Sequence, residues 1–342
     1  MDTKNNLQQE EAFYEKFAVP PAPIKKEEID YSYTEELKAE TRKIKDLLNF
    51  KMTNQFQVLQ MITHTNNHHN NRIKANEFLD YNRYTDILPY KHSVVKISGS
   101  TQVDQYINAN YINNPFKDKA YIATQGPIPN TISSFWRMIW EQKTNLIIML
   151  CKEFVKCDKY WPSQGQILQE GDLQVQFLSQ QKNAQQNIIE RQFILKYKNE
   201  QRQVSQVHVQ LSYSGYQQVS QNTFYLKKWE GWPDHGVPES RDYGVLENLV
   251  QRVVNQIEQS KIPVVHCSAG VGRTGTLLAL SNIYMTLKYH QVKKTPIDQI
   301  ELNVLDIVRR LREQRMIMVQ MDNQLNLVYE ITKTFIRKMF KF

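Results

Sequence analysis

The chain has 342 residues, 41% apolar and 23% charged, with 11 Gly and 12 Pro. That is the balance of a globular protein, with room for one large domain or two ordinary ones. Three cysteines (Cys151, Cys157, Cys267) are too few for a disulfide framework and point to a reducing compartment, and no apolar run approaches the ~20 residues of a membrane helix. The net charge of +8 comes from Lys and Arg spread along the chain with no basic block, which argues against nucleic acid and suits an anionic substrate. The first residues, MDTKNNLQQEE, are polar throughout, unlike a secretory leader. The expected location is the cytoplasm, or else the nucleus.

Residues 1–34 mix charge runs (Lys25 to Glu28) with a proline cluster (Pro20, Pro21, Pro23) and read as an extension, mostly disordered, with room for one short docked helix. Helical character starts over Tyr33–Lys51. Asn66–Asn71 is a polar loop; His64, His68 and His69 lie there, but no Cys or acidic residue sits at ligand spacing, so no metal is expected. Thr131–Lys143 reads as a helix with core aromatics and Asn145–Cys151 as a buried strand. Strand patterns follow near Leu173–Leu178 and Ile188–Tyr197 within a Gln-rich surface stretch. Leu246, Leu249, Val250, Val253 and Ile257 form one helical stripe, Pro263–His266 a short strand, and Leu278–Tyr289, Val304–Arg315 and Gln324–Phe340 further helices. Strands interleaved with helices imply α/β layers. With no repeat and no linker after residue 35, one domain over 35–342 is expected.

The informative stretch is Ile262 to Gly275, which reads strand, tight loop, helix. Gly270, Gly272 and Gly275 let the backbone curl so that successive amides point inward, and a helix starting near Arg273 adds its positive end. Arg273 offers a planar fork to two phosphate oxygens. Cys267, separated from it by five residues and on the floor of this cradle, is expected to be an activated thiolate facing phosphorus. The same glycines match a dinucleotide fingerprint, but no acidic residue follows until Asp298, beyond the usual spacing. No Lys-Ser/Thr pair closes a Walker loop.

His266-Cys-Ser-Ala-Gly-Val-Gly-Arg-Thr-Gly275 resembles the signature loop of the protein tyrosine phosphatases, specifically the large Tyr-specific group. Gly231 to Pro238 resembles that family's mobile acid loop, Tyr81 to Tyr90 its substrate-recognition loop, and Val319 to Gln324 its glutamine loop; other matches extend the likeness over roughly 35–342. The resemblance implies one domain, a highly twisted mixed β-sheet flanked by helices on both sides. It implies hydrolysis of phosphotyrosine in proteins through a phosphocysteine on Cys267. Asp234 would be the general acid and base, and Arg273 with the amides of Ser268, Ala269, Gly270, Val271 and Gly272 would bind phosphate. Tyr84 would stack on the substrate ring and Asp86 accept from the peptide backbone. Gln320 would place the hydrolytic water with help from Gln324. Thr274 would donate to the departing thiolate, and His266 would orient Cys267. No cofactor is implied, and a monomer is assumed.

The rivals are a dual-specificity phosphatase, which usually lacks a recognition loop like that at Tyr84, and a phosphotyrosine-binding pseudophosphatase, which typically loses one of the groups retained here. Two departures stand out. Only Glu153 to Lys156 remains of a longer loop whose Glu usually bonds the signature Arg, leaving Glu153 as the candidate for that role at a poorly fitting spacing. The long stretch between Gln206 and Trp232 reads as an insertion just ahead of the acid loop.

Overall fold

Sheet and helix segments alternate because the chain switches repeatedly between short β-branched runs and longer amphipathic ones. A computed structural model of the chain describes residues 11–17, 35–64, 72–73, 77–153, 156–183, 188–209, 212–220, 223–230, 232 and 236–342, with backbone alone for 212–220 and 223–230. The helices are α1 (11–15), α2 (Glu35–Lys38), α3 (Ile44–Leu47), α4 (Gln55–Ile62), α5 (Ile132–Glu141), α6 (Tyr243–Glu258), α7 (Gly272–Val292), α8 (Val304–Gln314) and α9 (Asp322–Phe340). The strands are β1 (Arg42–Lys43), β2 (Ala109–Asn114), β3 (Lys117–Thr124), β4 (Leu146–Met149), β5 (Ile167–Glu170), β6 (Leu173–Asn183), β7 (Ile188–Tyr197), β8 (Glu200–Val209), β9 (Ser212–Ser220), β10 (Thr223–Glu230), β11 (Val264–His266) and β12 (Glu301–Leu302).

Eight strands form one mixed sheet in the order β2-β3-β11-β4-β8-β7-β6-β5. Its middle is parallel: β11 lies between β3 and β4, and β4 also pairs with β8. Both faces of these strands are covered, so β4 is a continuous apolar run, β11 is two valines closed by His266, and every residue in them is buried. The expected α/β class with a mixed sheet in one domain is what the chain adopts. The parallel strands β3, β11 and β4 end side by side, and the crevice at their carboxyl ends is where ligands enter such sheets. His266 closes β11, so Cys267 emerges there.

The helices hold that edge in place. α7 starts within the glycine loop and is buried on nearly all sides, with Leu277, Leu278, Leu280 and Ile283 fully covered. It packs between α6, α8 and α9. The helix expected over Tyr33–Lys51 is interrupted, because β1 pairs with β12 and Ile44 N–H donates to the Ile300 carbonyl at 3.1 Å; strand pairing here overrides local propensity. In the N-terminal extension, α1 lies against Phe116: Tyr14 is fully buried, its ring edge-on to Phe116 at 5.5 Å. His68 and His69 lie outside the described residues. Between β8 and the acid loop, β9 and β10 form a separate two-stranded antiparallel ribbon, which accounts for the length of that stretch.

Buried His208 on β8 gives the fold an acid sensitivity. Its Nε2 meets the Cys151 carbonyl at 3.0 Å and its Nδ1 faces Arg191 Nη1 at 3.5 Å. Burial, with Arg191 beside it, pushes its pKa down to about 3 from 6.5. The unfolded chain therefore binds this proton first as pH falls, so stability present above pH 6.5 drains away toward pH 3. Urea unfolding should show the wild type losing about 2 kcal/mol more than His208→Gln between pH 7 and pH 5. Equal losses would show that His208 does not titrate on unfolding.

Candidate active site

A pocket of about 130 Å³ opens at the end of β11, lined by Tyr84, Asp86, Ile87, Cys267, Ser268, Ala269, Gly272, Arg273, Gln320 and Gln324. It gathers residues from three separate stretches of sequence. Each is brought there by a distinct device.

The glycine loop is shaped by close approach. Gly270 has φ +72°, and a Cβ there would lie 2.1 Å from the Thr124 carbonyl oxygen, so both conformation and space require glycine. The loop carbonyls are pulled outward by Arg315, which is fully buried: its Nε donates to the Gly270 carbonyl and its Nη2 to the Ala269 carbonyl, each at 2.9 Å. The same guanidinium donates to Asn110 Oδ1 (2.6 Å) and Asn108 Oδ1 (2.9 Å). With those carbonyls turned away, the Gly270 amide faces inward and donates to Cys267 Sγ at 3.2 Å. Burial pushes the Arg315 pKa down to about 10, and the Cys267 sulfur partly counters this.

Arg273 stands at the first turn of α7, and its Nη1 donates to the main-chain carbonyls of Trp232 (2.8 Å) and Leu150 (3.3 Å). Trp232 anchors the base of the acid loop: it is buried, and its Nε1 donates to the Gly236 carbonyl at 3.0 Å. Asp234 itself lies outside the described residues. Glu153, the candidate partner for Arg273, instead pairs with Arg191 at 3.2 Å. The shortened loop brings its carboxylate to β7, and backbone carbonyls hold the signature guanidinium.

The recognition loop is bolted to the sheet. Arg83 donates to the Gly126 and Pro127 carbonyls at 3.0 and 2.8 Å and pairs with Asp158 at 2.5 Å. Asn82 Oδ1 accepts from Tyr106 and Asn108. These bonds present Tyr84 and Asp86 to the pocket, where the Tyr84 hydroxyl meets Ser268 Oγ at 2.8 Å. On the far wall, Gln324 Oε1 accepts from the Gln320 amide at 3.1 Å and the Met321 amide at 3.3 Å. Val319, just before Gln320, has φ +58°, a strained setting for a β-branched residue. Arg312 donates to its carbonyl at 2.8 Å, and the Val319 amide donates to Val271 at 3.2 Å.

His266 is fully buried behind the loop, with Nε2 at 2.9 Å from the Tyr160 hydroxyl and Nδ1 at 3.2 Å from the Cys267 carbonyl. The Thr274 hydroxyl, expected to donate to the sulfur, is buried with no hydrogen-bond partner among the described residues; the group seen donating to Sγ is the Gly270 amide. Among the described residues, the one cluster of metal-type donors is Cys151, Cys157 and His266, with their atoms within 4.8 Å of one another. Both His266 nitrogens are already engaged, and the Cys157 thiol is pushed up by its hydrogen bond to Cys151 and by burial. The sequence places Arg315 only at the end of an expected helix; nothing in it pairs the residue with the loop carbonyls.

A buried cysteine beneath a glycine loop, an arginine at the helix start and an aromatic wall share one pocket, which can hold a phosphate-sized anion. The family model "Protein-tyrosine phosphatase" matches residues 78–334, and the chain belongs to that family. It is 34% identical over 267 residues to human tyrosine-protein phosphatase non-receptor type 12, covering 76% of this chain and 30% of that protein. It is also 34% identical over 249 residues to mouse receptor-type tyrosine-protein phosphatase eta, covering 71% of this chain and 18% of that protein. The chain thus spans less than a third of the length of these relatives. Among solved structures, the catalytic domain of human protein tyrosine phosphatase non-receptor type 18 superposes with a TM-score of 0.65 at 28% identity, covering 84% of this chain and 96% of that one. No helix among the described residues is long and apolar enough to cross a membrane.

Replacing Arg315 by Lys removes the fork that turns two carbonyls outward. The expected cost is about 1–3 kcal/mol of stability, with weaker binding of phosphate or vanadate measured by calorimetry. Unchanged anion affinity would show that the loop holds its shape without Arg315.

Proposed function

We propose that residues 35–342 form a catalytic unit that hydrolyses phosphotyrosine in proteins through a covalent intermediate on Cys267. The observation that carries this reading is the inward Gly270 amide on Cys267 Sγ, with Arg273 at the rim and Tyr84 forming the wall of the same pocket. The thiolate of Cys267 attacks phosphorus in line, forming the S–P bond as the P–O bond to the tyrosine breaks. Asp234 gives its proton to the departing phenolate. Arg273 and the loop amides from Ser268 to Gly272 hold the three equatorial oxygens, most tightly in the transition state. In the second step, Gln320, braced by Gln324, places a water against the phosphocysteine. Asp234 takes the water's proton, the S–P bond breaks and phosphate leaves. Thr274 is assigned to the departing thiolate and His266 to orienting Cys267.

Substrate choice follows from the wall. The ring of Tyr84 suits stacking on a phosphotyrosine ring, and Asp86 beside it is placed to accept from a peptide's amides. A related solved structure is described as PTPN18 in complex with HER2-pY1248 phospho-peptides, at 28% identity and a TM-score of 0.65. That supports phosphotyrosine peptides as the substrate class here. A cytoplasmic setting accords with three free cysteines.

The test is phosphate release without added metal from matched phosphotyrosine and phosphoserine peptides. Release from phosphotyrosine alone is expected. Cys267→Ser should abolish it, and Asp234→Ala should slow it by roughly 10²–10⁴. Tight binding of the phosphotyrosine peptide without release by the wild type would mean a binding module, and comparable rates on both peptides would mean dual specificity.

A further inference from the structure

Behind the signature loop runs a chain of buried polar groups that reaches well beyond the pocket. Its outer end is Arg191 on β7, 4% exposed, in the middle of the sheet. A charge there must be fully engaged, and it is. Nη2 pairs with Glu153 at 3.2 Å, Nε donates to Gln180 Oε1 at 2.8 Å, and the guanidinium lies over the Trp161 ring at 4.3 Å. The remaining nitrogen, Nη1, donates to Gln206 Oε1 at 3.0 Å. Gln206, fully buried on β8, in turn donates its Nε2 to the Tyr160 hydroxyl at 2.5 Å.

That bond decides the proton positions downstream. The Tyr160 oxygen accepts a hydrogen bond from Gln206, so its own hydroxyl hydrogen points to the other neighbour, His266 Nε2, at 2.9 Å. His266 accepts at Nε2 and therefore carries its proton on Nδ1, which donates to the Cys267 carbonyl at 3.2 Å. Every link donates in the same sense, from the cation toward the nucleophile. Such a chain is polarised throughout by the charge at its head. Tyr160 is itself pinned, since Trp136 Nε1 donates to its main-chain carbonyl at 2.6 Å.

We infer that Arg191 is a positioning residue for the reaction, acting through Gln206, Tyr160 and His266 to fix the histidine's proton and hold Cys267 in its reactive setting. This rests on Cys267 being the nucleophile. Glu153 serves as the counter-ion that keeps the buried guanidinium in place, at the head of the relay.

Arg191→Met keeps the apolar stem and deletes every donor. The expected result is a kcat on a phosphotyrosine peptide about tenfold lower, with KM unchanged within about twofold. The rate of Cys267 alkylation by iodoacetamide at about pH 6, followed by mass spectrometry, should fall by a similar factor. Gln206→Leu cuts the relay further in and should give the same pair of changes. The double variant should be no slower than the slower single one, because both act along one path. A lower melting temperature with both rates unchanged would mean a purely structural arginine and would overturn the inference. Additive losses in the double variant would overturn it as well. If Arg191→Met does not fold, Gln206→Leu and Tyr160→Phe carry the same comparison. Alkylation needs no turnover, so a wild type that releases no phosphate would sink the catalytic reading while leaving the relay testable by thiol reactivity.

Discussion

Everything at this site depends on the direction of a few peptide planes. A loop can offer its amides to an anion only if its carbonyls find partners on the other side, and here Arg315 supplies them. The cost is a fully desolvated guanidinium, offset by two loop carbonyls and the amide oxygens of Asn108 and Asn110. Those partners tie the loop to the start of β2 and the residue before it, and Arg315 itself follows α8 directly. The cradle is thus held from outside by elements far away in sequence, while Gly270 lets the backbone pass within van der Waals reach of Thr124.

The same logic of remote bracing recurs around the pocket. Arg83 fastens the recognition loop to the turn after β3, and Arg312 fastens the strained turn at Val319. Gly275 belongs to this scheme too, because a Cβ there would come within 2.4 Å of the Val319 amide. Three arginines that never touch the substrate pocket therefore set three of its walls. The guanidinium suits this work because one planar fork can satisfy several carbonyls at once.

Much of this was legible in the sequence, and the reasons divide cleanly. The fold class followed from period and run length: β4 and β11 are short and apolar, α6 carries one stripe, and the glycine loop lies between strand and helix. Cys267, Arg273, Tyr84, Asp86, Gln320 and Gln324 do converge on one pocket. What the sequence could not show was partner choice. Glu153 has the right chemistry for Arg273, but the shortened loop sets it beside Arg191, a distinction carried by a few ångströms and by no motif. The helix expected over Tyr33–Lys51 failed for a related reason, since the pairing of β1 with β12 joins segments about 260 residues apart.

One feature of the sheet bears on how copies of this chain behave toward each other. β5 is only four residues long and covers β6 from Leu173 to Gln176, so among the described residues the far half of β6 forms an outer edge of the sheet. An open edge invites another strand to add on, which is the first step toward aggregation. This one is a poor template. The register shifts between Phe177 and Ser179, and the sequence beyond is Gln180-Gln181-Lys182. The irregularity bends the strand away from flatness and the lysine charge repels an incoming copy. The bulge and the lysine thereby keep a glutamine-rich strand from finding a second one.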